Sequence, residues 1–338
     1  MREYNIAIVG ATGVVGEQMR KILESRDFPV SRLKLLASER SGGKRLTWKR
    51  VGMEVEVLGA DSFQNIDIAL FSAGSDISEE YAPIARDSGA VVIDNSNAWR
   101  MDPEVPLVVP EVNPDALTGH HGLIANPNCS TIQMVVALKP LHDRWNLKRV
   151  VVSTYQAVSG SGQKAVDELI AQSEAYLADK PLDIESYPHQ IAFNLIPHID
   201  VFDDDGNSKE EMKMVNETRK ILGLDDLPIT ATTVRVPIVV GHSESINVEL
   251  SEPVDVEEAR KILSESSGIT VIDNPHEAEY PMPLNAAGTD DCYVGRIRRD
   301  DSLASGLNMW VVADNLRKGA ALNAVQIAEI LVRAGLKE

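Results

Sequence analysis

The stretch Asn5-Ile6-Ala7-Ile8-Val9-Gly10-Ala11-Thr12-Gly13-Val14-Val15-Gly16 decides how the chain starts to fold. A short apolar run of strand length leads directly into a glycine-rich turn, and a helical pattern follows through Leu23. Such a turn lets the backbone approach a pyrophosphate while the helix N-terminus offers unpaired N–H groups. The spacing is GxxGxxG and not the common GxGxxG, so the position between strand and helix carries the prediction.

Three further apolar runs of strand length follow, at Leu33–Ala37, Ile66–Phe71 and Ala90–Ile93. Apolar strands separated by helices or long crossovers are typical of a parallel sheet covered on both faces. The part of the chain before Asn126 is therefore predicted to form a Rossmann-like dinucleotide-binding domain.

The character of the sequence changes past Asn126, where longer alternating strands with helices between them predict an α+β catalytic domain. A capping box at Ser208 and an N-cap at Asp255 mark the starts of two of its helices. The predicted strands are Val150–Gln156, Ile229–Val234 and Ile246–Leu250, and the predicted helices end near Leu222, Glu265 and Ala334, the last beginning near Gly319.

Length and composition limit the classes of protein. A chain of 338 residues exceeds what one core usually supports, which indicates two domains. The formal charge of −18 argues against nucleic-acid binding, and no apolar run approaches the about 18 residues of a membrane span. A strand-like run begins directly after Tyr4 without a recognisable signal or transit peptide, so we expect a cytoplasmic protein with no membrane association.

The residues after the second predicted strand bear on the choice of cofactor. An acid at that position binds a ribose diol, whereas Arg and Ser bind a 2′-phosphate. Arg40 and Ser41 favour NADP, while Glu39 is the competing observation.

The two cysteines lie far apart, so neither a disulfide framework nor a metal site is expected. Cys292, inside a strand-like run, is expected to be a packed small hydrophobe. Cys129 follows an Asn-Pro turn and stands where a helical pattern begins. A helix N-terminus stabilises a thiolate, and the same N–H groups stabilise an oxyanion on a carbonyl that the sulfur attacks. We therefore predict that Cys129 is a nucleophile.

Several separated motifs occur in a fixed order along the chain. They are GATGVVG at Gly10–Gly16, SNAWRM at Ser96–Met101, NPNCST at Asn126–Thr131, TYQAVSGSG at Thr154–Gly162, KEEMKM at Lys209–Met214, RVPIVVGHS at Arg235–Ser243 and ADNLRKGAA at Ala313–Ala321. With these motifs the sequence resembles the bacterial branch of the aspartate-β-semialdehyde dehydrogenases over nearly its whole length.

The resemblance implies an α/β fold with a second domain of the glyceraldehyde-3-phosphate-dehydrogenase-like type. The implied division is an NADP-binding Rossmann-like domain at 1–127, a catalytic and dimerisation domain at 128–316, and a C-terminal helix at 317–338 that returns to the first domain. It also implies a homodimer.

The resemblance further implies roles for single residues. Cys129 matches the family's nucleophile, His242 its acid/base, and Gln156 the residue that orients the acyl intermediate. The implied substrate-binding residues are Arg100 and Lys213 on phosphate, Arg235 on the carboxylate, Glu210 on the amine, and Asn128 and Gln156. For the cofactor, the resemblance implies Thr12, Gly13, Val14, Val15, Ser159, Gly160 and Asn315, which join Gly10, Arg40 and Ser41 from the glycine turn and the second strand.

Without the resemblance, two of these residues would be interpreted differently. Glu210 lies one helical turn before Lys213, which indicates a solvated i,i+3 ion pair. A lone histidine such as His242 is more often structural, although imidazole is the group that exchanges a proton near neutral pH.

The resulting hypothesis is reversible, NADPH-dependent reductive dephosphorylation of L-4-aspartyl phosphate to L-aspartate 4-semialdehyde, with release of phosphate, through a thioacyl intermediate on Cys129. This activity would serve the biosynthesis of diaminopimelate, lysine, threonine, methionine and isoleucine. One alternative is a related acyl-phosphate or acyl-CoA reductase, such as N-acetyl-glutamyl-phosphate reductase. Another is a non-catalytic nucleotide-binding regulator, against which the presence of Cys129, Gln156 and His242 argues.

Overall fold

The computed structural model describes residues 2–336, and the chain divides into two units. The first unit runs to Asn128 and includes the residues from Ala320 onward, and the second runs from Cys129 to Gly319. Within residues 2–336 no helix combines the length and the apolar character needed to cross a membrane.

The helices and strands follow in chain order. Those before Asn128 are β1 (Tyr4–Val9), α1 (Val14–Ser25), β2 (Val30–Ala37), β3 (Arg45–Trp48), β4 (Val51–Val57), β5 (Ile68–Phe71), α2 (Ser75–Asp87), β6 (Val91–Asp94) and β7 (Leu123–Ala125). Those after it are α3 (Cys129–Trp145), β8 (Leu147–Gln156), α4 (Gln163–Leu177), α5 (Lys209–Leu222), β9 (Ile229–Arg235), β10 (His242–Leu250), α6 (Val256–Glu265), β11 (Ile269–Val271), α7 (Pro283–Ala286), β12 (Cys292–Asp300), β13 (Gly306–Ala313) and α8 (Leu322–Ala334).

The first unit is built on a sheet of order β3-β4-β2-β1-β5-β6-β7. Its central strands are buried along their length, since Ile6, Ile8, Ile68 and Leu70 are all inaccessible to solvent, as expected for strands covered on both faces. The predicted doubly covered sheet is thus confirmed. It is not wholly parallel, because β3 runs antiparallel to β4, a hairpin that the apolar pattern did not predict.

The second unit is built on a mixed sheet of order β11-β12-β13-β10-β8-β9. Side chains of β8 alternate, with Val150, Val152 and Thr154 buried and the residues between them partly exposed. This period of two is typical of a sheet with one face on a core. The helix α3 packs against β8, β10 and β13.

The predicted helix starts are confirmed at two positions. The Ser208 hydroxyl accepts from the Glu211 N–H at 3.2 Å, and the Glu211 carboxylate accepts from the Ser208 N–H at 2.7 Å, which completes a capping box. The Asp255 carboxylate accepts from the Glu258 N–H at 2.8 Å and so caps α6. The final helix differs from prediction: a π-helical turn occupies 317–321, and α8 starts only at Leu322.

Candidate active site

Three polar side chains meet at one end of the second unit's sheet. The parallel strands β8 and β9 end at Gln156 and Arg235, which are register partners. The strand β10 starts at His242, and its antiparallel register sets Ser243 opposite Tyr155 on β8. Gln156, Arg235 and His242 come together because β8 and β9 end, and β10 begins, at the same end of the sheet.

The imidazole of His242 is fully buried in a defined orientation. Its Nδ1 accepts a hydrogen bond from the Ala157 N–H at 3.0 Å, so the proton of the neutral ring lies on Nε2. Within residues 2–336 the Nε2 atom has no hydrogen-bond partner. Burial, and then the positive charge of Arg235, hold the pKa of His242 well below its usual value. The ring is therefore neutral near pH 7 and offers an N–H donor.

The guanidinium of Arg235 is held by the same loop. Its Nη1 donates to the Ala157 carbonyl at 2.7 Å, and the side chain is buried. Its Nε finds no hydrogen-bond partner in the described part of the chain. A buried guanidinium with a donor left over is suited to binding an anionic ligand group.

Gly160 keeps the space beside these two side chains open. A Cβ atom at this position would lie 3.2 Å from Arg235 Nη1 and 3.5 Å from His242 Nε2. The contact with Arg235 would be tighter than most real Cβ contacts, whereas the contact with His242 would be ordinary, so the backbone of Gly160 lies closest to the guanidinium.

A chain of polar contacts joins Gln156 to the helix α5. The Gln156 Nε2 donates to Glu210 Oε1 at 3.1 Å, and the Lys213 ammonium lies 3.3 Å from the other Glu210 oxygen. Glu210 is only 5% exposed, so the interpretation of this pair as a solvated surface ion pair is wrong. Its burial behind a sheet strand was not visible in the helical spacing.

Sequence reasoning missed Asp200 in the same chain of contacts. Its carboxylate accepts from Lys213 Nζ at 2.8 Å. Burial acts to raise the pKa of Asp200, but the Lys213 ammonium and the Val201 N–H outweigh it and leave the pKa lowered. Lys213 thus lies between two carboxylates. No motif marked Asp200, because it lies in an irregular segment before α5.

Cys129 is the first residue of α3, as predicted, and is partly exposed. A Cβ atom on Gly319 would lie 2.9 Å from the Cβ of Cys129, so only glycine fits the backbone there. Gly319 belongs to the π-helical turn, and its role beside the thiol was not predicted. Cys292 is completely buried on β12, which confirms its interpretation as a packed side chain.

Asn315 braces the loops around His242. Its Nδ2 donates to Ser159 Oγ at 3.0 Å, and its Oδ1 accepts from the Gly241 N–H at 2.8 Å. Gly241 adopts a φ of +100°, which favours glycine, directly before His242. Ser159 and Asn315, both assigned to the cofactor by resemblance, thus also fix the start of β10.

The glycine turn of the first unit has the predicted tight geometry. Gly10 has a φ of +81°, and a Cβ atom there would lie 2.6 Å from the Ser72 carbonyl oxygen. Gly13 is the N-cap of α1 and has no side chain to cap the helix, so the first N–H groups of α1 are left for a ligand. Thr12 and Gly13 are exposed in this turn.

The predicted 2′-phosphate residues lie in a short 3₁₀ turn, Glu39–Ser41, directly after β2. Ser41 is buried, and its hydroxyl accepts from Thr12 Oγ1 at 3.3 Å and from Lys44 Nζ at 3.4 Å. Arg40 and Glu39 are exposed. The turn thus joins the two predicted cofactor segments of the first unit, and Lys44 is a further cation that sequence reasoning missed.

Arg100 is buried in the first unit and supports its main chain. Its Nε donates to the Asn126 carbonyl at 3.0 Å, and its Nη2 donates to the Asn95 carbonyl at 2.9 Å. Asn128, at the end of this unit, is also buried. Part of the guanidinium therefore holds the segment that precedes Cys129.

Comparison with known proteins identifies the family of the chain. A family model described as the NAD-binding domain of semialdehyde dehydrogenase matches residues 5–120, and one described as its dimerisation domain matches residues 138–318. Aspartate-semialdehyde dehydrogenase of Aquifex aeolicus is 58% identical over 337 residues, which cover 98% of this chain and 99% of the relative.

Solved structures give the same result. Aspartate semialdehyde dehydrogenase II of Vibrio cholerae, complexed with ASA, has a TM-score of 0.96 at 48% identity, covering 98% of this chain and 99% of that one. The Candida albicans enzyme with NADP has a TM-score of 0.77 at 25% identity, covering 99% and 100%. With relatives this similar over nearly the whole length, the chain belongs to the aspartate-semialdehyde dehydrogenase family.

Proposed function

We propose that this chain catalyses the reversible, NADP-dependent reductive dephosphorylation of L-4-aspartyl phosphate to L-aspartate 4-semialdehyde. The observation that carries the proposal is the cluster of Gln156, Arg235 and His242 at one sheet edge, in the unit whose first helix starts at Cys129. The names of the relatives support the substrate.

The charged side chains at this end of the sheet are opposite in sign to the carboxylate and the amine of an amino acid. The buried Arg235 has a guanidinium fork suited to the α-carboxylate, and the buried Glu210 carries the negative charge suited to the amine. Lys213 on the same helix is assigned to the phosphate, and the family resemblance adds Arg100 and Asn128. A chain with a net charge of −18 requires such local cations to bind an anionic substrate.

Covalent chemistry is assigned to Cys129. In the reductive direction its thiolate attacks the acyl carbon of aspartyl phosphate, the carbon–sulfur bond forms and the carbon–oxygen bond to phosphate breaks. The product is a thioester on Cys129 and free phosphate. The N-terminal N–H groups of α3 favour both the thiolate and the oxyanion formed during the attack.

His242 is assigned to the oxygen of the reacting carbonyl. Its neutral ring presents the Nε2 proton, so it is suited to donate to the oxygen as negative charge develops. The amide of Gln156 is held by Glu210 and is assigned to orienting the acyl group. Once the thioester carbon has received a hydride, the resulting thiohemiacetal anion on Cys129 would re-form a carbonyl, the carbon–sulfur bond would break, and the thiolate and the aldehyde would be released.

The first unit fits a nicotinamide dinucleotide that carries a 2′-phosphate. The side-chain-free turn at Gly10 and Gly13 would hold the pyrophosphate, and Arg40, Ser41 and Lys44 would hold the 2′-phosphate. The bound cofactor would supply a hydride to the thioester carbon. Ser159, Gly160 and Asn315 are assigned to the nicotinamide by resemblance.

Two further assignments follow from the family. The chain is proposed to form a homodimer through its second unit, which matches the dimerisation model. The reaction is proposed to serve cytoplasmic biosynthesis of diaminopimelate, lysine, threonine, methionine and isoleucine.

The test is an assay in the oxidative direction with L-aspartate 4-semialdehyde, NADP and inorganic phosphate. NADPH should form only when phosphate is present, and more slowly with NAD. The C129A variant should be inactive, while the matched control C292A, which changes the buried cysteine, should retain the activity. Activity in C129A, or turnover that needs no phosphate, would contradict the proposal, and a preference for an N-acetylated substrate would indicate the related reductase.

A further inference from the structure

A fully buried carboxyl lies on β10, two residues beyond His242. Glu244 is 0% exposed, and within residues 2–336 neither of its oxygens has a hydrogen-bond partner within 3.5 Å. A carboxylate in such a place would carry an unpaired charge at a high cost in free energy. Burial accordingly raises the pKa of Glu244 well above its usual value.

The side chain beside this carboxyl is Gln133 of α3, which opposes part of the rise in the Glu244 pKa. The Oε1 atom of Gln133 is also buried without a hydrogen-bond partner in the described residues. Its Nε2 donates to the backbone carbonyl of His242 at 3.4 Å and has a second hydrogen to offer.

A neutral Glu244 carboxyl can form more hydrogen bonds with the Gln133 amide than an ionised one can. A protonated carboxyl has one O–H donor and one C=O acceptor, and the Gln133 amide has an Oε1 acceptor and an Nε2–H donor. Two mutual hydrogen bonds would then satisfy all three oxygens that now lack partners. An ionised Glu244 could accept from the Gln133 Nε2–H but has no proton to donate, so the Gln133 Oε1 would stay without a donor.

Among residues 2–336, no charged side chain acts to lower the pKa of Glu244. Its register partners are Thr154 on β8 and Val311 on β13, both uncharged. On its own strand the titratable neighbour on this face is His242, and α3 contributes Gln133 and, one turn earlier, the thiol of Cys129.

We propose that Glu244 is protonated, pairs with the Gln133 amide, and acts as a positioning residue that joins the helix starting at Cys129 to the strand starting at His242. Gln133 lies one helical turn after Cys129 and hydrogen-bonds the main chain of His242. The pair therefore sets how the proposed nucleophile and the proposed donor face each other. The activity readout rests on the proposed function, whereas the protonation readout does not.

Activity is compared in E244Q, E244L and the control E249Q. Glu249 is a partly exposed residue on the same strand as Glu244, and its carboxylate pairs with Lys148 of β8. Glutamine keeps one donor and one acceptor, so kcat of E244Q should stay within about twofold of wild type. Leucine removes both, so kcat of E244L should fall about tenfold with little change in KM. Since Q133L breaks the same pair, E244L/Q133L should be no slower than the slower single variant. A tenfold loss in E244Q would overturn the proposal.

Infrared spectra measure the protonation directly. The carbonyl stretch of a protonated carboxyl is distinct from that of a carboxylate, so wild type at pH 7 should show a band that E244Q lacks. Absence of that band from the difference spectrum contradicts the proposal, even if E244L fails to fold. If wild type were inactive toward the semialdehyde, the proposed function would fail while the infrared result still decided the state of Glu244.

Stability gives a third readout with a definite sign. Because the folded-state pKa of Glu244 is raised, its contribution to stability is full below its unfolded value near 4.5 and is lost as pH rises through the folded value. Urea unfolding should therefore show wild type losing stability relative to E244Q as pH rises. An identical pH dependence of the two proteins would count against a protonated Glu244.

Discussion

The backbone N–H of Ala157 donates to Nδ1 of His242 at 3.0 Å, which fixes the neutral ring with its proton on Nε2. The Ala157 carbonyl at the same time accepts from Arg235. One residue after the end of β8 thus orients both the proposed donor and the proposed carboxylate binder.

The first prediction concerns the acid side of the pH profile. The lowered pKa of His242 keeps the ring neutral, so kcat should show no titration of this residue near pH 6.5 and an acid limb only at lower pH.

The contribution of His242 to the stability of the fold is full above its unfolded pKa near 6.5 and is lost as pH falls toward the folded value. Urea unfolding of wild type and H242Q between about pH 5 and 8 measures this, and a steeper acid-side loss in H242Q would contradict it.

The second prediction concerns the space at Gly160. The added methyl group of G160A would crowd the Arg235 guanidinium and fill the space beside His242, so kcat/KM should fall about tenfold while the fold is retained. The matched control is G59A, because a methyl group added at Gly59 would meet no heavy atom of residues 2–336 within 4 Å and the φ of Gly59 is negative. Equal activity of the two variants would show that the space at Gly160 is not needed for activity.

The third prediction concerns the shape of the Arg235 cation. In R235K the lysine keeps the positive charge of Arg235 but loses the planar fork and the hydrogen bond to the Ala157 carbonyl. KM for the semialdehyde should therefore rise by an amount equivalent to roughly 1.5–3 kcal/mol. The control is R299K, since Arg299 is an exposed residue paired with Asp301. An unchanged KM in R235K would indicate that another residue binds the carboxylate.

The fourth prediction concerns Lys44 and the choice of cofactor. Removing its ammonium in K44A should lower kcat/KM for NADP about fivefold and leave that for NAD nearly unchanged, because only NADP carries the 2′-phosphate. The neighbouring K49A variant is the control. Assays with both cofactors measure the ratio, and a parallel loss with NAD would mean that Lys44 acts on the fold of the turn and not on the phosphate.

Local sequence signals predicted single helices and strands better than they predicted which strands pair with each other. The capping box at Ser208 specified the start of α5, because side chain and backbone satisfy each other within one helical turn. The hairpin of β3 and β4 escaped prediction, since Arg45–Trp48 and Val51–Val57 mix exposed and buried residues without a regular period. The π-helical turn before Leu322 was not predicted either, because the spacing of apolar residues does not distinguish a π-helix from an α-helix.

By itself the sequence determined the glycine turn after β1, the two-domain order and the place of Cys129 at a helix start, because these depend on neighbours in the chain. Only the tertiary structure decided the tautomer of His242, the burial of Glu210 and the position of Glu244 beside Gln133. These depend on strand register and on which faces are closed to water, and residues far apart in sequence set both.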